Sequence, residues 1–346
     1  DIRETLFSGW STGDTHAGPS NLNPGPDNWF YGMVGYAGFN GIIAGQQRSF
    51  RTGFYRFKVE QVDGKVAVTD FEFLRNTNNN SWGVGFSEEG LLFGSTANRN
   101  PSEFMPIANR HYERVRGWTS SVLGGIADSH KFAPITDKVR QVDHHGGYTA
   151  AAGHAIYTAR NYPQAYWNRA AFVAGPTGHL VGTFALTPQG AGYKSTSPVN
   201  LLASDDEWAA PIMAEIGPDG NVWVIDWYNY IVQHNPTPVG FRNGPGNAYM
   251  TDLRDKKHGR VYRITYDSHV ADSSEPNTLA GASPAQLVKT LSSSNLFWRR
   301  HAQRLLVEAG NTDVTDALLN LLSRHQLDPI GIDVAAIHAI RVLEGL

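Results

Sequence analysis

MAEIGPDGNVWVIDW, residues 213–227, sets two short apolar runs on either side of Gly-Pro-Asp-Gly. Proline presets the first corner of a tight turn, aspartate bonds its own backbone, and glycine takes the left-handed position. The flanking runs alternate in character, so the segment predicts a β-hairpin. The same design returns in LNPGPDNWFYGMVG at 22–35 and WGVGFSEEGLLFGS at 82–95, and more loosely in AAFVAGPTGHLVGTFAL at 170–186. A second, offset theme, GFYRF at 53–57 and GRVYRI at 259–264, supplies further strands. Recurring hairpins with glycine-rich punctuation predict a mainly β chain built as a β-propeller, whose blades bury their faces only against neighbouring blades. A β-sandwich assembled from the same hairpins is the competing architecture.

The character changes after Asp267. DSHVADSSEPNTLAGASPAQ, from Asp267 onward, is polar and rich in Ser, Ala and Pro. QLVKTL, LFWRRHAQRLLVEAG, VTDALLNLLSRH and DVAAIHAIRVLEGL then carry apolar residues at helical spacing. Short helical pieces separated by Asn, Asp and Gly signals predict paired, HEAT-like helices. The expected organisation is a propeller over 1–267, a linker over 268–282 and HEAT-like repeats over 283–346. The final helix reaches Leu346 with an apolar face, so the solenoid is expected to continue in a longer parent chain. DIRETLFSGW reads as the end of a strand, so an upstream part is expected to precede Asp1.

With 346 residues, 41% hydrophobic and 11% aromatic, the chain has ample material for a packed core. Its 36 glycines and 18 prolines fit a turn-rich architecture. A net charge of −3 gives no footprint for nucleic acid or an anionic membrane. No apolar run approaches the roughly 18 residues that a membrane span needs. The absence of cysteine excludes disulfides, thiolate metal sites, a cysteine nucleophile and covalent haem attachment within this chain. No strand-linked Gly-x-Gly-x-x-Gly, P-loop or Gly-x-Ser-x-Gly elbow occurs, so dinucleotide, nucleotide and serine-hydrolase readings lack their usual support.

Four clusters near strand ends are candidates for chemistry. In GDTHAGPSNL, a carboxylate at Asp14 stands beside His16, and such a neighbour can poise an imidazole as a base; a simple aspartate turn explains the same residues. LRNTNNNSWGVGF pairs Arg75 with Asn76, a fork of donors beside an amide that suits an anionic or quinone-type ligand, while Asn78 to Asn80 read more simply as a loop. VDHHGGYTAAAGHAIY carries Asp143, His144, His145, Tyr148, Thr149 and His154; adjacent histidines on a strand face opposite ways, and no His-Glu-x-x-His pattern supports zinc. The fourth cluster holds Asp205, Asp206, Glu207, Trp208, Asp226, Tyr228 and His234. Its carboxylates suit calcium or a solvated acidic loop, and a buried Asp226 needs an arginine, backbone amides or a cation.

HAGPSNL…GPDNWFYGMVG, RN…WGVGFSEEGLLFGS, YTAAAGHAIYTARNYPQAYWNRAAFVAGPTGHL and EIGPDGNVWVIDWYN together resemble the bacterial membrane-bound dehydrogenase group, itself similar to soluble quinoprotein glucose and sorbosone dehydrogenases. The resemblance covers nearly the whole chain and includes LFWRRHAQRLLVE in the helical region. It implies a six-bladed propeller, possessing all its blades or incomplete at the N-terminus, followed by HEAT repeats. It further implies pyrroloquinoline quinone with Ca2+ over the funnel, a sugar or other alcohol as substrate, and a c-type cytochrome module or dye as electron acceptor. A periplasmic or secreted location goes with it. On this resemblance His16 is the base and Asp14 orients it. Arg75 and Asn76 flank cofactor and substrate, and Thr149 with Tyr148 contacts the cofactor. Backbone carbonyls near Ala97 and Asn98, with Asp226, are the calcium candidates. The family's quinone-binding lysine and arginines are replaced: Thr177 or His179 stands in the first region, and Trp208, Ala209 and Ala210 in the second. A non-catalytic propeller that binds carbohydrate or a protein partner is the alternative those replacements favour.

Overall fold

The structure, a computed structural model, describes residues 3–14, 16–118, 122–139, 141, 145–233, 237–244, 249–268 and 276–346. Sixteen strands form five sheets among them. The first sheet contains β1 (Pro19–Pro24), β2 (Phe30–Val34), β5 (Gly53–Val62) and β6 (Lys65–Asn76), with β3 (Phe39–Ile43) and β4 (Gln46–Phe50) inserted as a separate hairpin. The second contains β7 (Ser81–Phe86), β8 (Leu92–Thr96) and β9 (Asn100–Met105). The third is β10 (Ala152–Ile156), β11 (Ala170–Gly175), β12 (Leu180–Gln189) and β13 (Gly192–Ala203). The fourth is β14 (Pro211–Ile216), β15 (Val222–Asp226) and β16 (Arg260–Ile264). Every pairing within these sheets is antiparallel.

The hairpin turns are alike because their sequences are. Gly217 N–H bonds the Asn221 carbonyl at 2.9 Å, Gly220 sits at φ 71°, and Asp219 caps the Asn221 N–H at 3.2 Å. In the β1–β2 turn, Gly25 N–H bonds the Trp29 carbonyl at 2.6 Å, and Asn28 takes the left-handed position at φ 64°. Asn is the side chain that tolerates this conformation best, since its amide can bond locally.

Strands β1, β7, β10 and β14 each start their sheet and pack in that succession, so the four sheets form a fan around a common axis, as in a propeller. The period-two alternation of β11 explains the stacking. Ala171 and Val173 join Phe93, Phe104, Tyr148 and Phe184 between the second and third sheets. Phe172 and Ala174 face the other way, toward Ala214, Val222 and Val224 of the fourth. Between the first two sheets lie Tyr31, Met33, Phe54 and Leu74 against Val84, Phe86 and Leu92. The outer face of the first sheet is covered by Phe39, Ile43 and Phe50 of the inserted hairpin, with Phe7 and Trp10. The described residues form four sheets of this fan, where the resemblance implied six blades.

Glycine is required where strands approach too closely for a side chain. A Cβ on Gly85 of β7 would lie 1.8 Å from the His154 carbonyl oxygen on β10, closer than any real contact.

The helical tail follows the sequence pattern: α1 (Pro284–Thr290), α2 (Leu296–Ala309), α3 (Thr315–Arg324) and α4 (Val334–Gly345). Ser283 and Gln286 close a capping box on α1, and Asn295 caps α2 through the Phe297 N–H. Leu291, Ala302, Leu306, Leu318, Ala339 and Val342 form a core of their own.

The opposite face of α2 lies across the basal turns of the fan. Gln303 donates to the Pro26 carbonyl at 3.0 Å and Trp298 to that of Pro218 at 2.8 Å; the Leu296 N–H reaches the Thr158 carbonyl at 3.0 Å. Arg299 meets Glu88 of the β7–β8 turn at 2.5 Å with neither side chain exposed. One helix thus touches all four sheets. Above it, Asn23, Glu215, Phe297 and Arg300 line a small void of about 100 Å³. Glu215 is exposed at the surface, yet protein packs closely around its carboxyl. This burial pushes its carboxyl up to about 7, opposed by the Arg300 charge.

Candidate functional site

The four innermost strands all run from one end of the fan toward α2. At their starting end they surround a cavity of about 410 Å³. His16 precedes β1; Asn79 and Asn80 precede β7; Thr149 and Ala150 precede β10; Ile212 lies on β14. Trp82 on β7 and Trp227 just beyond β15 supply indole walls, and Tyr36 a phenol at the mouth. Asn21, Asn98 and Gln233 complete the polar lining.

His16 is anchored through its main chain. Its N–H donates to Asp14 Oδ1 at 2.8 Å, and its carbonyl accepts the Trp82 indole N–H at 2.8 Å. The imidazole lies 5.4 Å from the Trp82 ring, centroid to centroid. Asp14 therefore fixes the His16 backbone in an aspartate turn. Its second oxygen accepts the Tyr36 hydroxyl, and this bond pushes the Tyr36 phenol up to about 12. Asp14 and Tyr36 thus tie the β1 approach to the β2–β3 connection at the cavity mouth.

Arg75 and Asn76 stand elsewhere. Arg75 is buried with its guanidinium 5.3 Å from the Tyr112 ring and 5.1 Å from that of Trp118, and it bonds the Ile107 carbonyl at 3.3 Å. Asn76 Nδ2 donates to the Arg51 and Thr52 carbonyls, at 3.2 and 3.4 Å. Neither lines the cavity, because both end β6, an outer strand. Tyr148 is a core side chain of the sheet 2–sheet 3 interface, where burial raises its hydroxyl. Thr177 is buried and accepts from Gln141 at 3.2 Å, leaving its neighbour Pro176 on the cavity wall. Trp208 packs on Tyr228 and Tyr230, outside the lining.

Asp226 finds the partners a buried carboxylate requires without a cation. Oδ1 accepts the Ala210 N–H at 2.7 Å and the Tyr228 N–H at 2.8 Å, and Oδ2 accepts the Tyr262 hydroxyl at 3.1 Å. It is a clamp on the fourth sheet. Asp206 meets Arg260 at 3.2 Å and caps the Trp208 N–H, and Glu207 faces Lys138 at 3.4 Å. His154 is buried against Phe93, with Ser102 Oγ 2.9 Å from Nε2; burial lowers its pKa to about 4, so it is neutral at pH 7. Asp143, His144 and His234 lie outside the described residues.

Ala97 and Asn98 do line the cavity, where the Ala97 carbonyl and the Asn98 side-chain oxygen each have a protein partner. The Ala97 carbonyl accepts the Ala151 N–H at 3.2 Å, and Asn98 Oδ1 accepts the Thr149 hydroxyl at 2.9 Å. Among the described residues no carboxylate lines the cavity, and no group of three or more His, Asp or Glu side chains is placed to hold a metal. Calcium, which takes six to eight oxygens and usually carboxylates, finds a poor donor set here. Among the described lining residues there is also no Lys or Arg. Pyrroloquinoline quinone carries three carboxylates, which would face amides, indoles and one imidazole where charge-assisted partners carry such binding. The described residues do not fit either group.

Several lining residues were not singled out in the sequence. The sequence assigns Trp82 and Trp227 no role, and Asn79 and Asn80, inside the second cluster, read as loop. The usable signal was position: each stands where an innermost strand begins or its partner ends.

Residues 1–268 match the family model described as a domain of unknown function, DUF7133. No curated protein matches the chain. Among solved structures, the PQQ-bound aldose sugar dehydrogenase of Streptomyces coelicolor is 16% identical with a TM-score of 0.38, over 64% of this chain and 58% of that one. The chain thus spans less than two thirds of that enzyme's length. The apo-form soluble aldose sugar dehydrogenase of Escherichia coli is 12% identical with a TM-score of 0.31, over 62% and 80% of the two chains. A Thermus glucose dehydrogenase is 13% identical with a TM-score of 0.32, over 61% and 78%. The chain belongs to the DUF7133 family.

Proposed function

We infer that the axial cavity binds a small neutral carbohydrate or related polyol. The observation that carries this reading is the described lining: two indoles and a phenol beside amides and a threonine hydroxyl, with His16 as the one ionisable imidazole and neither a carboxylate nor a cationic side chain. Aromatic faces cover the C–H surfaces of a sugar, and amide and hydroxyl groups exchange hydrogen bonds with its hydroxyls. A volume of about 410 Å³ lies in the range of small-molecule sites. Saturation-transfer NMR with D-glucose, D-galactose, D-mannose and xylitol, beside their anionic relatives gluconate and glucuronate, tests it. Transfer to the neutral compounds is expected; transfer to none of them overturns the reading.

A second reading, oxidation of a hydroxyl of that ligand, is favoured by His16 on the cavity wall, where an imidazole can take a hydroxyl proton. Its hydride acceptor lies outside what the described residues fit. Dye reduction by the purified protein with the same sugars, with and without added pyrroloquinoline quinone and Ca2+, decides it. Turnover abolished by His16→Ala supports oxidation, and no turnover under any condition leaves binding alone as the function.

A further inference from the structure

A second aromatic group stands at the same end of the fan as the cavity. Trp208 comes three residues before β14, and Tyr228 and Tyr230 follow β15, the antiparallel partner of β14. Both segments therefore meet where β14 starts, the end that opens on the cavity. The Trp208 ring lies 6.0 Å from that of Tyr228 and 5.3 Å from that of Tyr230, centroid to centroid, and all three side chains are half-buried. The Arg260 guanidinium sits 3.6 Å from the Tyr228 ring centroid, so a face of Tyr228 is already covered.

The backbone here is strained and clamped. Tyr228 is held at φ 55°, a left-handed conformation that a side chain with a Cβ avoids. Asp226 Oδ1 holds it by accepting the N–H groups of Tyr228 and Ala210, while the Trp227 N–H bonds the Ala210 carbonyl at 3.0 Å. These bonds fix the Trp208 segment beside the Tyr228 segment. Strain maintained in this way clusters at ligand sites. The group is also continuous with the cavity: the wall residues Trp227 and Val232 lie one before Tyr228 and two beyond Tyr230. Two residues of chain span at most about 7 Å, within reach of the next unit of a saccharide held in the cavity.

We propose that Trp208 and Tyr230 form a second sugar subsite on the rim of the axial cavity, so that the ligand is the end of a neutral oligosaccharide. The terminal unit enters the cavity, and the next unit lays its C–H face on the rim aromatics. The proposal rests on the carbohydrate reading and deepens it. The charges around the rim are balanced, since Arg260 meets Asp206 at 3.2 Å and Lys138 meets Glu207 at 3.4 Å. The rim thus suits a neutral chain, as the cavity does. Lys138 and Asp205 in turn border an open pocket of about 560 Å³, which continues the strip with polar groups for further hydroxyls.

The test is calorimetric titration of D-glucose, D-mannose and D-xylose, and of their cello-, manno- and xylo- dimers and tetramers, into the wild type and three variants. In the wild type at least one series is expected to bind about two- to tenfold tighter as a dimer than as a single sugar, the gain from one ring stacked on an aromatic face. Trp208→Ala abolishes that gain and leaves the single sugar within about twofold of wild type, whereas Trp208→Phe retains most of the gain. Melting curves establish that each variant is folded, and Tyr230→Ala carries the test if Trp208→Ala is not. No gain with length in any series, a gain undiminished in both alanine variants, or equal losses for single sugar and tetramer overturns the subsite while leaving the carbohydrate reading intact. Failure of the wild type to bind any of these saccharides overturns that reading and the subsite with it.

Discussion

Arg299→Ala removes the central contact between the helical tail and the sheets. Glu88 and Arg299 have no exposed side-chain surface and meet at 2.5 Å. Glu88 also receives two bonds from Arg160, at 2.6 and 3.0 Å, and Arg160 continues to Asp328 at 2.6 Å. Truncating Arg299 leaves a carboxylate that has already lost its water with one cationic partner in place of two. Breaking a buried pair in this way costs about 3–5 kcal/mol, and the retained Arg160 places the expectation at the lower end, about 3 kcal/mol. Against the roughly 5–15 kcal/mol that holds a typical domain, this is a large loss. Urea unfolding at pH 7, followed by tryptophan fluorescence and circular dichroism, measures it. Because α2 is bonded to all four sheets, both signals are expected to shift together. The pair Glu88→Gln with Arg299→Met removes both charges and should cost less than the sum of the single changes. A loss under about 1 kcal/mol for Arg299→Ala, or strict additivity in the double variant, would refute the reasoning.

Three further outcomes follow from the core. Burial raises the Glu103 carboxyl to about 8, with the Asn100 amide as its bonded partner, so the folded state holds a proton that the unfolded chain releases near pH 4.5. Stability should fall as pH rises from about 4.5 to 8, and Glu103→Gln should flatten that slope and stabilise the protein at pH 8, which melting curves across pH will show. Asp226→Ala strands two N–H groups and the Tyr262 hydroxyl and should lower stability by about 2–3 kcal/mol, with no response to Ca2+ or chelator in either protein, as calorimetry can verify. Gly85→Ala forces a Cβ into the His154 carbonyl and should separate the second and third sheets, seen as a Tm loss far larger than that of Gly45→Ala, where a Cβ meets open space but the positive φ still carries strain.

The hairpins and helices were legible because they are local. Gly-Pro-Asp-Gly encodes its own turn, β11 alternates faces by period two, α1, α2 and α4 carry side-chain N-caps, and the helices bury apolar faces. The site was legible only in part. His16 and Thr149 reach the cavity because they precede inner strands, and Ala97 and Asn98 because they follow β8, the partner of inner strand β7. Arg75 and Asn76 looked equally chemical, yet they end an outer strand. Which strand of a sheet lies innermost is set by the packing of whole sheets, and no local pattern reports it. The contacts of α2 were hidden for the same reason: Glu88 and Arg299 are 211 positions apart, and each reads as a surface charge until the sheets bring them together.

The central claim is that a neutral carbohydrate occupies the cavity between Trp82 and Trp227. Protein labelled with 15N at tryptophan and asparagine, titrated with the same neutral sugars, tests it most directly. The account predicts saturable shifts of the Trp82 and Trp227 indole signals and of the Asn79, Asn80 and Asn98 side-chain NH2 signals, assigned by single substitution, with Trp223 on the outer face of the fourth sheet unmoved. Shifts confined to residues away from these five, or none at millimolar sugar, would contradict it.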